Sequence, residues 1–336
     1  MDLFALTRAL VDIDSTTGRE PAATEFLAGY LEPLTRGEGG GVLERWPVEG
    51  ARENLFAAWG EPVVVLSTHL DTVPPFFPSS EDGERIGGRG SCDAKGIAAA
   101  MVKAVEGLLA EGRRGFGLLF VVGEETDSVG AIAANRTPRG SRYLIDGEPT
   151  ENRQVVGHRG ALWLALEAAG RAAHSSTPEL GDSAIERLLD GLAALRALPL
   201  PEDPLLGTTL LNVGTIAGGR APNVIADQAR AEVMVRTVGD TTEWKRALRA
   251  ALGPSGVRVA GEREVAPVVM RPLPGFATEV VRYTTDIPRL SAWGEPFLLG
   301  PGSVRLAHTA EESVGKAELV EAVRLYQRMV RLLQGE

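Results

Sequence analysis

The 336-residue chain has one cysteine, Cys92, so no internal disulfide can brace it. That usage fits a reducing compartment, and a cytoplasmic location is the expectation. No apolar run approaches the ~20 residues that a membrane-spanning helix needs. The opening residues, Met1-Asp2-Leu3-Phe4, lack the basic stretch and apolar core of a signal peptide. No basic run interrupts the formal charge of -10, so phosphate backbones are repelled. Neither nucleic acid nor a membrane is therefore an expected partner. Internal repeats and low-complexity segments are missing as well. What remains is an ordinary globular composition, 44% hydrophobic and 24% charged, with a length suited to about two domains of roughly 150 residues.

The first half alternates helical and strand patterns. From Pro21 to Leu34, the residues Phe26, Leu27, Tyr30, Leu31 and Leu34 share one helical face. Val63 to Leu66 reads as a strand buried on both sides, Leu118 to Val122 as a second and Tyr143 to Ile145 as a third. A helix with Ile97, Met101, Val105 and Leu108 on one stripe lies between the first two. This alternation predicts an α/β fold with a mostly parallel sheet. After Gly157 the pattern changes. Ala161 to Glu167 is a strand. A helix follows with Asp182 as its expected cap, then strands at Thr209 to Ile216 and Ala229 to Val235. A second helix, capped by Thr241 or Thr242, precedes a last strand at Val257 to Val259. That order, βαββαβ, is a small ferredoxin-like two-layer unit. A Pro- and Gly-rich stretch then leads to a final helix from Lys316 to Leu333. The expectation is a catalytic domain of residues 1–157 plus 269–336, interrupted by an inserted lid or dimerisation domain of residues 158–268.

Histidine is scarce, with four in the chain. His69 stands directly after the first buried strand, in His69-Leu70-Asp71-Thr72-Val73-Pro74. It is either a loop histidine or a metal ligand whose second ring nitrogen Asp71 holds. Asp93, in Arg89-Gly90-Ser91-Cys92-Asp93-Ala94-Lys95-Gly96, is either a helix cap or a carboxylate aimed at a neighbour, for which the flanking glycines allow close approach. Cys92 reads as a small packed residue. Gly123-Glu124-Glu125 follows the second strand. Two adjacent carboxylates repel; they are either a solvated loop pair or a pair with divided labour, one binding metal and the other serving as general base. Asp146-Gly147-Glu148-Pro149-Thr150 follows the third strand. His69, Asp93, Glu125 and Glu148 thus gather at the carboxyl edge of the sheet, where open α/β sheets bind ligands. Far downstream, Gly300-Pro301-Gly302 precedes His308-Thr309. Imidazole and carboxylate without thiolate suits a catalytic zinc pair.

In these segments the chain resembles the metal-dependent aminoacylase and carboxypeptidase family, which includes acetylornithine deacetylase, succinyl-diaminopimelate desuccinylase and glutamate carboxypeptidase. Ser67 to Pro74, Gly88 to Gly96, Gly123-Glu124-Glu125 and Gly147-Glu148-Pro149-Thr150 carry the likeness, joined by Ala173-His174-Ser175-Ser176 and Pro222-Asn223-Val224. The resemblance implies a zinc-dependent amidohydrolase acting on linear amides. His69, Asp93 and Glu148 would hold one Zn2+, and Asp93, Glu125 and His308 the other, with Co2+ or Mn2+ able to substitute. Glu124 would be the general base and Asp71 the orienter of His69. His174 would stabilise the oxyanion across a homodimer, Asn223 and Arg236 would grip substrate, and Gly300 and Gly302 would line its side of the metals. Asp146 neighbours the Glu148 position, and some relatives use aspartate there; the following proline favours Glu148. His158 occupies a junction where another residue type is expected and reads as a hinge or surface residue. The expected substrate is an N-acyl amino acid, deacetylated or desuccinylated in amino-acid biosynthesis. A dipeptidase or carboxypeptidase, or a hydrolase of carrier-protein-linked lysine or ornithine, would use the same two metals.

Overall fold

The computed structural model describes residues 1–37 and 40–335. Its contacts gather into two compact units. One comprises Met1–Val156, Met270–Glu279 and Thr285–Glu336; the other comprises Gly157–Val269 and Val280–Thr284. The second excursion, Val280–Thr284, is absent from the division expected from sequence, because that stretch carries no hydrophobic period.

The first unit begins with helices α1 (Leu3–Val11) and α2 (Pro21–Arg36). Asp2 Oδ1 caps α1 by accepting from Ala5 N at 2.8 Å. A hairpin of β1 (Val42–Glu49) and β2 (Arg52–Trp59) leads into β3 (Val64–His69), helix α3 (Lys95–Ala110) and β4 (Phe116–Val121). The short helix α4 (Val129–Ala134), β5 (Tyr143–Asp146) and β6 (Gln154–His158) follow. The second unit holds β7 (Ala161–Ala169), α5 (Ala184–Ala197), β8 (Leu210–Gly218), β9 (Gln228–Arg236), α6 (Thr242–Leu252) and β10 (Arg258–Val265). The chain closes on β11 (Glu295–Leu298) and helix α7 (Lys316–Leu333).

In the first unit the sheet runs β1-β2-β4-β3-β5-β11-β6. The β4, β3, β5 and β11 core is parallel; the β1/β2 hairpin and β6 pair antiparallel at its two sides. The sequence reading missed the hairpin, whose strand β1 alternates exposed and half-buried residues and carries Pro47. Every residue of β3 and β4 is buried. Val64 and Leu66 enter one core with α2, α3 and α7, whereas Val65 faces the other with Phe56, Leu144 and Trp293. A continuous apolar run is what a strand covered on both faces requires. The stripe of Ala322, Tyr326, Met329, Val330 and Leu333 seats α7 on the first of these cores, while Leu319 packs with Ile86, Cys92 and Val314.

The second unit is an antiparallel sheet in the order β8-β9-β7-β10. Leu162, Leu164 and Leu166 of β7 and the inward residues of β9 pack against Leu188, Leu192 and Leu195 of α5 and Trp244, Leu248 and Leu252 of α6. The expected cap of α5 is corrected. Ser183, not Asp182, caps α5, with its Oγ accepting from Glu186 N at 3.3 Å; Asp182 is drawn instead to Arg187. At α6 Thr241 stands at the N-cap position as expected, but its hydroxyl donates to Glu264 at 2.6 Å rather than closing the helix end, and Asp240 Oδ1 accepts from Thr242 N at 2.8 Å.

His158 is fully buried at the end of β6, which removes the surface half of the hinge-or-surface expectation. Its Nδ1 sits 3.0 Å from the Arg159 carbonyl. Burial pushes its pKa down to about 4. The unfolded chain then binds a proton near pH 6.5 that the native chain refuses, so stability is complete above that value and falls as pH drops towards 4. Between pH 7.5 and 5 this residue is expected to cost about 2 kcal/mol. Urea unfolding of wild type and His158→Gln at both pH values checks it, the variant losing correspondingly less on acidification. Equal losses would refute the assignment.

Candidate metal centre and active site

Three adjacent parallel strands deliver the site. Register pairs His69 of β3 with Val121 of β4, and Ser67 with Asp146 of β5, so their carboxyl ends finish together. His69 is the last residue of β3, Glu124 and Glu125 follow β4 within a turn, and Glu148 follows β5. Asp93 arrives from the loop before α3. It is not a helix cap: Ala94 holds that position, and the Asp93 carboxylate points elsewhere. Gly96 permits the tight turn beneath it, since a Cβ there would lie 2.2 Å from the Ser91 carbonyl oxygen.

Asp93 stands between two histidines. Its Oδ1 is 3.0 Å from His69 Nε2, and its Oδ2 is 3.3 Å from His308 Nε2. His308 Nε2 is also 3.0 Å from Glu125 Oε1. The candidate ligand atoms of His69, Asp93 and Glu148 lie within 4.8 Å of one another, as do those of Asp93, Glu125 and His308. Asp93 belongs to both groups. Asp146 belongs to neither; it is buried behind Glu148, and its Oδ2 has no hydrogen-bond partner. Cys92 is buried outside both groups, and burial raises its thiol well above the usual range.

The charges around this cluster are frustrated. Burial pushes the Glu124, Glu125 and Glu148 carboxyls upward, and Glu124 and Glu148 repel each other further. Burial opposes ionisation of Asp93 too, but hydrogen bonds from His308 and His69 outweigh it and hold that carboxyl far below its ordinary range. Hydrogen bonds to Asp93 and then to Glu125 raise His308 to about 10. Crowded buried carboxylates are costly, and bound divalent cations offset that cost. The donors, imidazole nitrogen and carboxylate oxygen with no thiolate, fit two cations of the zinc type sharing one bridging carboxylate.

Asp71 acts differently from the expectation. His69 Nδ1 meets the Asp71 backbone carbonyl at 2.9 Å, while the nearer carboxylate oxygen lies 3.6 Å away. The carboxylate instead accepts from the backbone N–H groups of Gly123 (2.9 Å), Glu124 (3.0 Å) and Glu125 (3.2 Å), and from Thr17 Oγ1 (2.8 Å). One buried anion thus fixes both the ring of His69, through its own backbone, and the turn bearing Glu124 and Glu125. The Gly300-Pro301-Gly302 loop abuts the ligand loops. A Cβ on Gly300 would fall 2.4 Å from the Glu148 carbonyl oxygen, and one on Gly302 would fall 2.6 Å from the Cys92 Cβ.

The remaining expected residues lie in the second unit. His174 is exposed and bridges to Val224, and Asn223 O accepts from Ser175 N at 3.0 Å. His174 Nδ1 faces the Ser176 N–H at 3.2 Å and its hydroxyl at 2.7 Å, which makes Nε2 the protonated, outward nitrogen. Arg236 ends β9, and burial lowers its pKa. Sequence reasoning missed Glu312, whose buried carboxylate reaches the Asp93 loop; the one available signal was the Glu311-Glu312 pair just after His308.

Comparison with known proteins accords with this geometry. Residues 65–332 match the model of peptidase family M20/M25/M40, and the chain belongs to that family. A peptidase M20 domain-containing protein of Schizosaccharomyces pombe is 39% identical, over 98% of this chain and 84% of its own. A probable carboxypeptidase of Aspergillus clavatus is 37% identical, over 98% of this chain and 82% of its own. In fold, the chain matches a tripeptidase of Staphylococcus aureus with a TM-score of 0.81 at 20% identity, covering 99% of this chain and 98% of that one. The protein is therefore a metallopeptidase-class hydrolase acting on amide bonds, in a family where zinc is typical. Among the described residues no helix is long and apolar enough to cross a membrane.

Proposed function

We propose that the protein, with two bound divalent cations, hydrolyses the amide bond between an acyl group and the nitrogen of an amino acid whose carboxylate is free. The observation that carries this reading is the pair of ligand groups sharing Asp93, with Glu124 beside them and in neither. His69, Asp93 and Glu148 would hold one cation, and Asp93, Glu125 and His308 the other. When bound, the pair would lower the pKa of a water molecule towards ~7 and polarise the scissile carbonyl.

The chain's own residues do the rest. Glu124 takes a proton from the attacking water and returns it to the leaving nitrogen. Asp71 holds Glu124 in place through its backbone N–H. His174 Nε2–H donates to the developing oxyanion, acting across a homodimer. The exposed edge strand β8, with Leu210 and Ile216 open to solvent, supports pairing between copies. Asn223 and Arg236 hold the substrate, the guanidinium gripping the carboxylate. Arg236→Met is expected to raise KM about tenfold or more for a substrate with a free carboxylate and to change kcat little. A matched C-terminal amide should respond to neither form differently, and equal KM values for the carboxylate substrate would remove Arg236 from this role.

An N-acetyl or N-succinyl amino acid and the last peptide bond of a peptide share this chemistry. The carboxypeptidase names of the curated relatives favour the peptide form. A panel of N-acetyl and N-succinyl amino acids beside dipeptides and tripeptides, assayed with zinc for amino-acid release, decides between them. Rapid turnover of acyl amino acids alone selects the deacylase; turnover of peptides from the carboxyl end selects the carboxypeptidase. Release from the amino end of carboxyl-amidated peptides would contradict the proposal.

A further inference from the structure

We infer that Glu312 is a positioning residue that locks the His308 loop to the Asp93 loop and so sets the affinity of one metal site more than the other. The inference rests on the two-metal reading above. Glu312 is fully buried. Its Oε1 accepts three backbone N–H groups, from Gly90 at 2.9 Å, Cys92 at 3.2 Å and Asp93 at 3.2 Å. Its Oε2 accepts from Arg89 Nη1 at 2.5 Å. The guanidinium of Arg89 is also buried, donates to the Pro75 carbonyl at 3.3 Å and lies 5.0 Å from the centre of the Phe77 ring. Gly88 N donates to the Glu312 carbonyl at 3.0 Å, and Ser313 then pairs with Gly87 in a short antiparallel ladder.

Converging backbone N–H groups form a concave anion site, and here the anion is supplied by the chain itself. Its consequence for Asp93 is direct, because the N–H of the bridging residue is one of the three donors. Its consequence for His308 follows from the chain, since Glu312 is four residues downstream in the same loop. The site of Asp93, Glu125 and His308 thus depends on Glu312 through two ligands. The site of His69, Asp93 and Glu148 depends on it through Asp93 alone, because His69 and Glu148 leave strands β3 and β5 that Glu312 does not touch. Partners behind a ligand typically tune metal affinity by about 10–100-fold.

The test is zinc binding by chelator-stripped full-length protein, titrated against a competing colorimetric chelator. Glu125→Gln and Glu148→Gln serve as references in which one site is already damaged. Glu312→Ala placed on Glu148→Gln is expected to weaken the remaining site at least tenfold. The same change on Glu125→Gln is expected to shift its remaining site less than threefold. Glu312→Gln keeps an acceptor for the N–H groups and loses the charge facing Arg89; it should weaken the same site more than the other by a smaller factor, about threefold or more, and preserve folding if the alanine variant is unstable. Equal weakening of both sites by folded Glu312→Gln or Glu312→Ala, or no weakening of either, would overturn the inference. Wild type that binds fewer than two zinc ions would instead overturn the two-metal reading beneath it, so the two failures are distinguishable.

Discussion

Glu124→Gln is expected to lower kcat about a thousandfold or more while both metals stay bound. The magnitude follows from the role, since a positioned general base contributes typically 10²–10⁴-fold, and the same group also returns the proton. Geometry separates Glu124 from its neighbour. Glu125 Oε1 lies 3.0 Å from His308 Nε2 and falls in a ligand group, whereas Glu124 falls in none. Glutamine keeps the size of the side chain and the backbone bond to Asp71, and removes only the basic oxygen. Glu125→Gln should behave oppositely, losing metal first and activity as a result. Measuring bound zinc and turnover on the same preparations distinguishes the two. A Glu124→Gln protein retaining more than a tenth of its activity would end the assignment.

Asp93→Ala is expected to abolish activity by emptying both metal sites together. Among the described residues, no other candidate ligand belongs to both groups. Its two oxygens face His69 and His308 separately, at 3.0 and 3.3 Å, so one truncation removes a donor from each side. Each site should lose more than ~100-fold in zinc affinity, beyond what loss of an indirect partner costs. His308→Ala should cost one zinc and leave the other. Wild-type-like binding of either zinc by Asp93→Ala would show that the carboxylate does not bridge.

Much of this was legible in the sequence because the chemistry sits at element ends. Buried strands announce themselves as apolar runs, and whatever polar residue directly follows, such as His69 or Glu124, must lie at the sheet edge. The final helix was readable to its boundaries, Lys316–Leu333, from one apolar stripe. Less was legible where the backbone rather than a side chain makes the contact. Asp71 holds His69 through its carbonyl and spends its carboxylate on three N–H groups, which no residue pattern encodes. Glu312 escaped for the same reason, and because its partners are over 200 positions away in the chain. His158 is a polar residue in a core, and periodicity has no means of announcing burial against expectation. The β1/β2 hairpin was missed because β1 is only half-buried and lacks a clean apolar face.

The most direct test of the account is zinc titration of the chelator-stripped protein, following bound metal and release of the carboxyl-terminal amino acid in one experiment. The account predicts no turnover without metal, two zinc ions bound per chain, and full activity on filling both sites. Undiminished hydrolysis by the stripped protein, or full activity with Asp93→Ala, would contradict it.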